Sequence, residues 1–247
     1  MKEKIYTIPV NEAFEQECEC ALCFLEQNLE NEAVDYSLGA AMMEPDFRVL
    51  SNDKGFCKNH YSMMFKKQNK LSLSLILDTH LEEFRKKVAD LDNCISSLPN
   101  KKKGLFKKTT SEAFDLIGNT LKKSQNSCVI CEKVDNTVKR YIEVVFYLWK
   151  NDPEFKKKIL NSKGFCLPHF TLLFKSAFEH LDVKSAAEFV RIIYNKELSE
   201  LERIQTDIHK FTLKFDYRNK DMELGSAIDA PMRTIEKLVG YINKDEK

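Results

Sequence analysis

Cys20-Ala21-Leu22-Cys23, followed by Lys54-Gly55-Phe56-Cys57-Lys58-Asn59-His60-Tyr61, returns later in the chain as Cys128-Val129-Ile130-Cys131 followed by Lys163-Gly164-Phe165-Cys166-Leu167-Pro168-His169-Phe170. The spacers match: 33 residues separate Cys23 from Cys57, and 34 separate Cys131 from Cys166. Between the paired motifs, Glu44-Pro45-Asp46-Phe47 is echoed by Asp152-Pro153-Glu154-Phe155. After each histidine comes an apolar run, Met63-Met64-Phe65 in one copy and Leu172-Leu173-Phe174 in the other. Duplication of one unit is the economical account, and an internal repeat governs how the rest of the chain is read. The repeats divide into residues 1–110, a first metal-binding unit with a linker, and residues 111–247, a second unit with C-terminal helices. Pro99, Gly104 and the lysines 101–103, 107 and 108 make Leu98–Thr110 the best linker in the chain.

The periodicity between the motifs is helical. From Phe24 to Met43 apolar residues fall at Leu25, Leu29, Ala33, Tyr36, Ala40 and Met43, and from Glu132 to Trp149 at Val134, Val138, Tyr141, Val145 and Leu148. Asp152 is placed to cap a short helix with Pro153 at its first position, and Gly55 and Gly164 to stop the helices before them. Cys57 and Cys166 begin the next helices. Longer helices are predicted over Leu71–Cys94 and Ser185–Phe211, and final ones over Ser111–Lys123 and Ala230–Asn243. Only Ile5–Val10 invites a strand. The predicted fold class is all-α: two tandem related helical units, each a helical hairpin pinned by a Cys3His metal site. Only 7 glycines and 6 prolines in 247 residues agree with a helical rather than a many-turned β architecture.

Zinc takes four nitrogen or sulfur donors at tetrahedral corners. A Cys-x2-Cys turn presents two sulfurs to one ion, and a Cys-x2-His pair at a helix start puts two more donors on one face. Within each repeat this gives Cys20, Cys23, Cys57 and His60 as one set and Cys128, Cys131, Cys166 and His169 as the other. Two zinc ions are expected, with an iron–sulfur cluster as the alternative cofactor. Crossed sets, in which the cysteine pair of one repeat meets the Cys-His pair of the other, stay open, as does replacement of Cys20 by Cys18. Cys94 has no partner at ligand spacing and reads as a helix core residue. His80, His180 and His209 stand singly on predicted helices and read as surface or core histidines. The polar break Phe215–Asn219 and the segment Gly225–Arg233 read as helix capping, with Asp229 or Ala230 before Pro231.

Charge and composition narrow the function. Hydrophobic residues make up 43% and charged residues 31%, as in an ordinary globular protein, and the formal net charge is +1. A protein that grips phosphate backbones shows a clear basic excess, so nucleic acid is not the expected partner; protein is. No run approaches the length needed to span a bilayer, and Met1–Val10 lacks the apolar core of a signal peptide. The cytoplasm is the expected location, where patterned cysteines (there are eight in all) serve metals or redox chemistry more often than structural disulfides.

The doubled motifs, with Leu38-Gly39-Ala40-Ala41-Met42-Met43-Glu44-Pro45-Asp46-Phe47 and Phe215-Asp216-Tyr217-Arg218-Asn219, resemble a bacterial family of uncharacterised proteins, a domain of unknown function common in anaerobic Gram-positive bacteria. The resemblance spans nearly the whole chain and implies that the repeat and the cysteine set are family features. It implies no activity. The residues themselves point to a non-catalytic cytoplasmic zinc-binding protein, a regulatory or adaptor module, because a closed four-ligand site leaves no open position for substrate. Two alternatives remain: a thiol-based redox or metal-responsive switch, and an enzyme whose helix-lined pocket gathers charged groups around Tyr217, Arg218 and Arg233.

Overall fold

A computed structural model describes residues 3–96 and 107–242, without the side chains of residues 3, 4, 93, 94 and 107–113. The side chain of Cys94 and most of the Leu98–Thr110 linker with its lysines therefore lie outside the described residues. Among those described the protein is all-α, with no strand. The helices are α1 (Glu3–Ala13), α2 (Ala21–Leu38), α3 (Pro45–Lys54), α4 (Lys58–Lys66), α5 (Lys70–Ala89), α6 (Asp92–Ser96), α7 (Lys107–Asn126), α8 (Val129–Asn151), α9 (Pro153–Asn161), α10 (Leu167–His180), α11 (Val183–Leu213) and α12 (Ala230–Val239). Among the described residues, no helix is long and apolar enough to cross a membrane.

The local signals account for most helix ends. Asp152 caps α9, its carboxylate accepting from the backbone N–H of Glu154 at 2.9 Å and of Phe155 at 3.2 Å, with Pro153 in the first turn. In the other copy Pro45 begins α3, but Glu44 makes no side-chain cap. Gly55 closes α3 at φ 64°, and Gly164 follows α9 at φ 78°, backbone conformations that L side chains rarely adopt. Asp229 stands at the cap position of α12 but sends its carboxylate to Arg233 instead.

The expected strand over Ile5–Val10 is a helix, α1, despite Pro9 within it. Helical spacing brings Tyr6, Val10, Ala13 and Phe14 to one side. Val10 and Ala13 are fully buried, Phe14 meets Phe155 edge-on at 5.0 Å, and Tyr6 meets Tyr141 at 5.4 Å. That packing outweighs the lost hydrogen bond at the proline. The helix read over Leu71–Cys94 breaks after Ala89 and resumes at Asp92.

The chain forms two compact units, and they do not follow the sequence repeats. One unit comprises Met1–Asn28 with Asn136–Lys247, the other Leu29–Asp135. In the first unit, Val145, Phe146, Phe155, Ile159, Phe165, Leu173 and Phe189 are buried around the α8 stripe. The α9–α10 connection is held there by an ion pair with almost no solvent access: Lys237 Nζ lies 2.9 Å from Glu197 Oε1 and donates to the Lys163 carbonyl at 2.8 Å. The second unit buries Val34, Ala41, Met64, Leu73 and Ile76, and α3 packs mainly on α5.

Candidate metal centres

The structure brings all eight sequence-chosen donors together, in two clusters, but the pairs are exchanged. Cys20 and Cys23 meet Cys166 and His169 in one unit; Cys57 and His60 meet Cys128 and Cys131 in the other. The sets drawn within each repeat are therefore corrected to the crossed sets. Helix lengths give the reason. An outbound helix of 18 residues, α2, rises about 27 Å, while the 10 residues of α3 return only about 15 Å. In the second copy the 23 residues of α8 are set against 9 in α9. Even with the 3-10 turn Ala40–Met43 added to the first return, neither hairpin brings its second motif back to its first. Cys18 stands outside the cluster. Burial, helped by the neighbouring Cys20, pushes its thiol up to about 11.

In the Cys20 cluster all four residues are buried. Cys23 and Cys166 sulfurs are 3.4 Å apart, and His169 Nδ1 lies 3.1 Å from Cys166, 3.4 Å from Cys23 and 3.6 Å from Cys20. Cys166 is the N-cap of α10, and its sulfur accepts from the His169 backbone N–H at 3.5 Å. Hydrogen bonds from Cys20 and Cys23 hold the Cys166 thiol down to about 4, while the same bond to Cys166 pushes Cys23 up. Burial pulls His169 down, but the Cys20 sulfur and the charge of Glu26 raise it overall.

The Cys57 cluster has similar distances and less cover: Cys57 and Cys131 are half-buried. His60 Nδ1 lies 3.1 Å from Cys57, 3.2 Å from Cys128 and 3.5 Å from Cys131, and the Cys57 and Cys131 sulfurs are 3.7 Å apart. The start of α8 is tied to the Gly-Phe-Cys loop by Val129 N–H to the Gly55 carbonyl at 3.1 Å and Ser127 Oγ to the Lys54 carbonyl at 2.6 Å. Burial works to raise Cys128, yet the His60 bond and backbone N–H groups of Cys131 and Cys57 bring it down to about 6. Burial lowers His60, and the bond to Cys128 with the Glu30 carboxylate beside Nε2 overcomes this, leaving it near 10. Cys131 is pushed up by burial and by the Cys128 charge.

In each cluster every donor atom lies within 4.8 Å of the others. A tetrahedral zinc site with Zn–S bonds of about 2.3 Å and Zn–N bonds of about 2.0–2.1 Å has edges of roughly 3.5–3.8 Å. The separations of 3.1–3.7 Å given above lie within about half an ångström of those edges, so each cluster has the dimensions of a one-ion site.

The other sequence candidates have structural places. His80 packs against Gly55, where a Cβ would come within 2.5 Å of its Nε2, and its Nδ1 lies 2.9 Å from the Asn52 carbonyl. His180 stacks on Phe146. Arg218 pairs with Asp216, and Tyr217 is exposed. Arg233 is bound to Asp207 at 2.9 Å and Asp229 at 2.7 Å, and sits 3.6 Å from buried Glu19, whose other oxygen takes Arg203 at 2.5 Å. This network anchors the segment before Cys20 to α11 and α12. A cleft of about 580 Å³ opens beside Cys20 and Cys23 and includes Cys18, Lys163 and Arg233, but neither Tyr217 nor Arg218.

Sequence reasoning did not single out Glu26 and Glu30. Glu30 Oε1 lies 2.9 Å from His60 Nε2, and Glu26 Oε2 lies 3.5 Å from His169 Nε2. The Glu30 contact is at ion-pair distance without the direction of a hydrogen bond, and the distance decides its effect on charge. A signal was present: both carboxylates follow Cys23 on α2, three and seven residues on.

Helical units closed by Cys3His clusters at helix starts define a helical protein with two possible metal-binding Cys/His sites. The chain belongs to the family of unknown function DUF6062, whose model matches residues 1–245. Among curated proteins and solved structures nothing matches it.

Proposed function

We propose that the protein is a non-catalytic, cytoplasmic zinc-binding module, with one structural zinc in each cluster, that acts on protein partners as a regulator or adaptor. The observation that carries this is the convergence of three sulfurs and one imidazole nitrogen, twice, each set within 4.8 Å. Four protein donors fill a tetrahedral zinc and leave no place for a substrate. So tight a grouping favours a single ion over an iron–sulfur cluster, which spreads its ligands across several iron and sulfur atoms. The near balance of charge supports protein rather than nucleic-acid partners.

Metal analysis of protein purified without chelator is expected to give two zinc ions per chain and no visible absorption band. The pairing is tested by stoichiometry. Cys23→Ser with Cys166→Ser should leave one ion; Cys23→Ser with Cys57→Ser should leave none bound tightly. Visible iron–sulfur bands would remove the zinc assignment, and absence of any metal after anaerobic purification would remove the metal reading.

The half-buried Cys57 and Cys131 favour a second reading, a thiol-based redox or metal-responsive switch at that cluster. Under mild peroxide, one ion should leave first, with oxidation mapped to Cys57 and Cys131 by mass spectrometry. Unchanged metal content and helicity would eliminate the switch. An enzyme acting in the cleft beside Cys20 has less support, since its Arg233 is already bound by carboxylates.

A further inference from the structure

Both ligand histidines present the same edge to their clusters. His60 directs Nδ1 at Cys57, Cys128 and Cys131, and His169 directs Nδ1 at Cys20, Cys23 and Cys166. Nε2 is then left on the far side of each ring. For His60 that atom is buried, in a side chain only 2% exposed, and Glu30 Oε1 is 2.9 Å from it. For His169 the facing atom is Glu26 Oε2 at 3.5 Å. A neutral imidazole that gives Nδ1 to a metal carries its proton on Nε2, and that N–H needs an acceptor when buried.

The two carboxylates stand one turn apart on α2. They are not a general property of the repeat. In α8, which carries the other cysteine pair, the matching positions are Val134 and Val138, both buried and apolar. One copy of the duplicated helix therefore carries both acidic residues that face the histidines, while its counterpart uses those positions for packing.

We infer that Glu30 and Glu26 are positioning residues for the two metal centres, each holding its histidine with the proton on Nε2 and the Nδ1 lone pair aimed at the ion. The inference rests on the zinc reading above. A carboxylate behind a ligating imidazole fixes the ring's orientation and raises its basicity toward the metal, and loss of such a partner weakens metal binding by about ten- to a hundredfold. Glu30 has the larger effect, because it is closer to its histidine than Glu26 and less exposed, 15% against 30%.

The test uses the full chain loaded with zinc. Chelator competition on Glu30→Ala is expected to show one of the two ions weakened about ten- to a hundredfold, with a smaller loss in Glu30→Gln, which keeps an oxygen acceptor facing Nε2. Glu26→Ala should weaken the other ion by less. Helicity at saturating zinc serves as the folding control, and the Gln variant keeps the comparison available if the Ala variant misfolds. In the unmutated protein, histidine 15N NMR should place metal on Nδ1 and a proton on Nε2 at two histidines, a signature that a purely structural carboxylate would not set. A wild-type chain holding two ions whose histidines bind through Nε2, or whose affinities stay within about twofold in both Glu30 variants, overturns this assignment alone. A wild-type chain holding no ion overturns the zinc reading together with it.

Discussion

Stripping zinc from the protein with a strong chelator is expected to abolish its cooperative thermal transition. Structural zinc in small sites contributes about 10–16 kcal/mol of apparent binding energy near neutral pH, and a whole domain is stable by only about 5–15 kcal/mol. Each cluster joins segments far apart in sequence: Cys20 and Cys23 to the start of α10, Cys57 to the start of α8. Without an ion, each unit keeps three cysteine sulfurs and an imidazole crowded together with no cation to hold them. In the Cys20 cluster all four are buried, so little water reaches them to compensate. The measurement is circular dichroism during a thermal ramp, with and without chelator, followed by zinc addition. Loss of the sharp transition and its return with about two equivalents of zinc is the expected result. An unchanged melting temperature would mean that the cores hold the units without metal.

What the sequence made legible follows from the chemistry of the residues that converge. Metal coordination needs particular residue types at close spacing, so all eight residues of the two clusters could be read from Cys-x2-Cys and Cys-x2-His alone. Their pairing could not be read from spacing, because equal spacers of 33 and 34 residues look like equal hairpins. What separates the two arrangements is how each spacer divides into helices. Breaks after Leu38 and after Asn151 leave return helices of 10 and 9 residues, too short for the outbound helices before them. The α8 stripe from Val134 to Leu148 was legible because burial on one face imposes helical spacing. Helix α1 was not, because its short apolar pattern around Pro9 has no decisive period and its partners, Tyr141 and Phe155, lie far along the chain. Glu26 and Glu30 look like any solvated acidic residues until the histidines opposite them are placed.

Lys237→Ala is expected to destabilise the protein by about 3–5 kcal/mol, the cost of leaving a buried charge unpaired. Lys237 is 1% exposed and its ammonium lies 2.9 Å from Glu197, which is 5% exposed. The pair does more than neutralise charge. Glu197 Oε2 accepts the Phe165 backbone N–H at 3.0 Å, and Lys237 donates to the Lys163 carbonyl at 2.8 Å, so both grip the Lys163-Gly164-Phe165 turn that delivers Cys166. Gly164 is suited to this grip: at φ 78°, a Cβ there would come within 2.6 Å of Glu197 Oε2. Removing the ammonium leaves the carboxylate to bind water or to pull the turn out of place. Replacing both partners together, as Lys237→Met with Glu197→Gln, removes the stranded charge and should recover much of the loss, because an apolar or neutral pair of similar volume avoids desolvating ions. Urea unfolding of the zinc-loaded single and double variants measures both effects. If the single substitution costs less than about 1 kcal/mol, the pair is not the clamp on the Cys166 turn. If it costs the expected amount and also loosens the ion held by Cys20, Cys23, Cys166 and His169, the ion pair and the metal centre stabilise the same turn from its two sides.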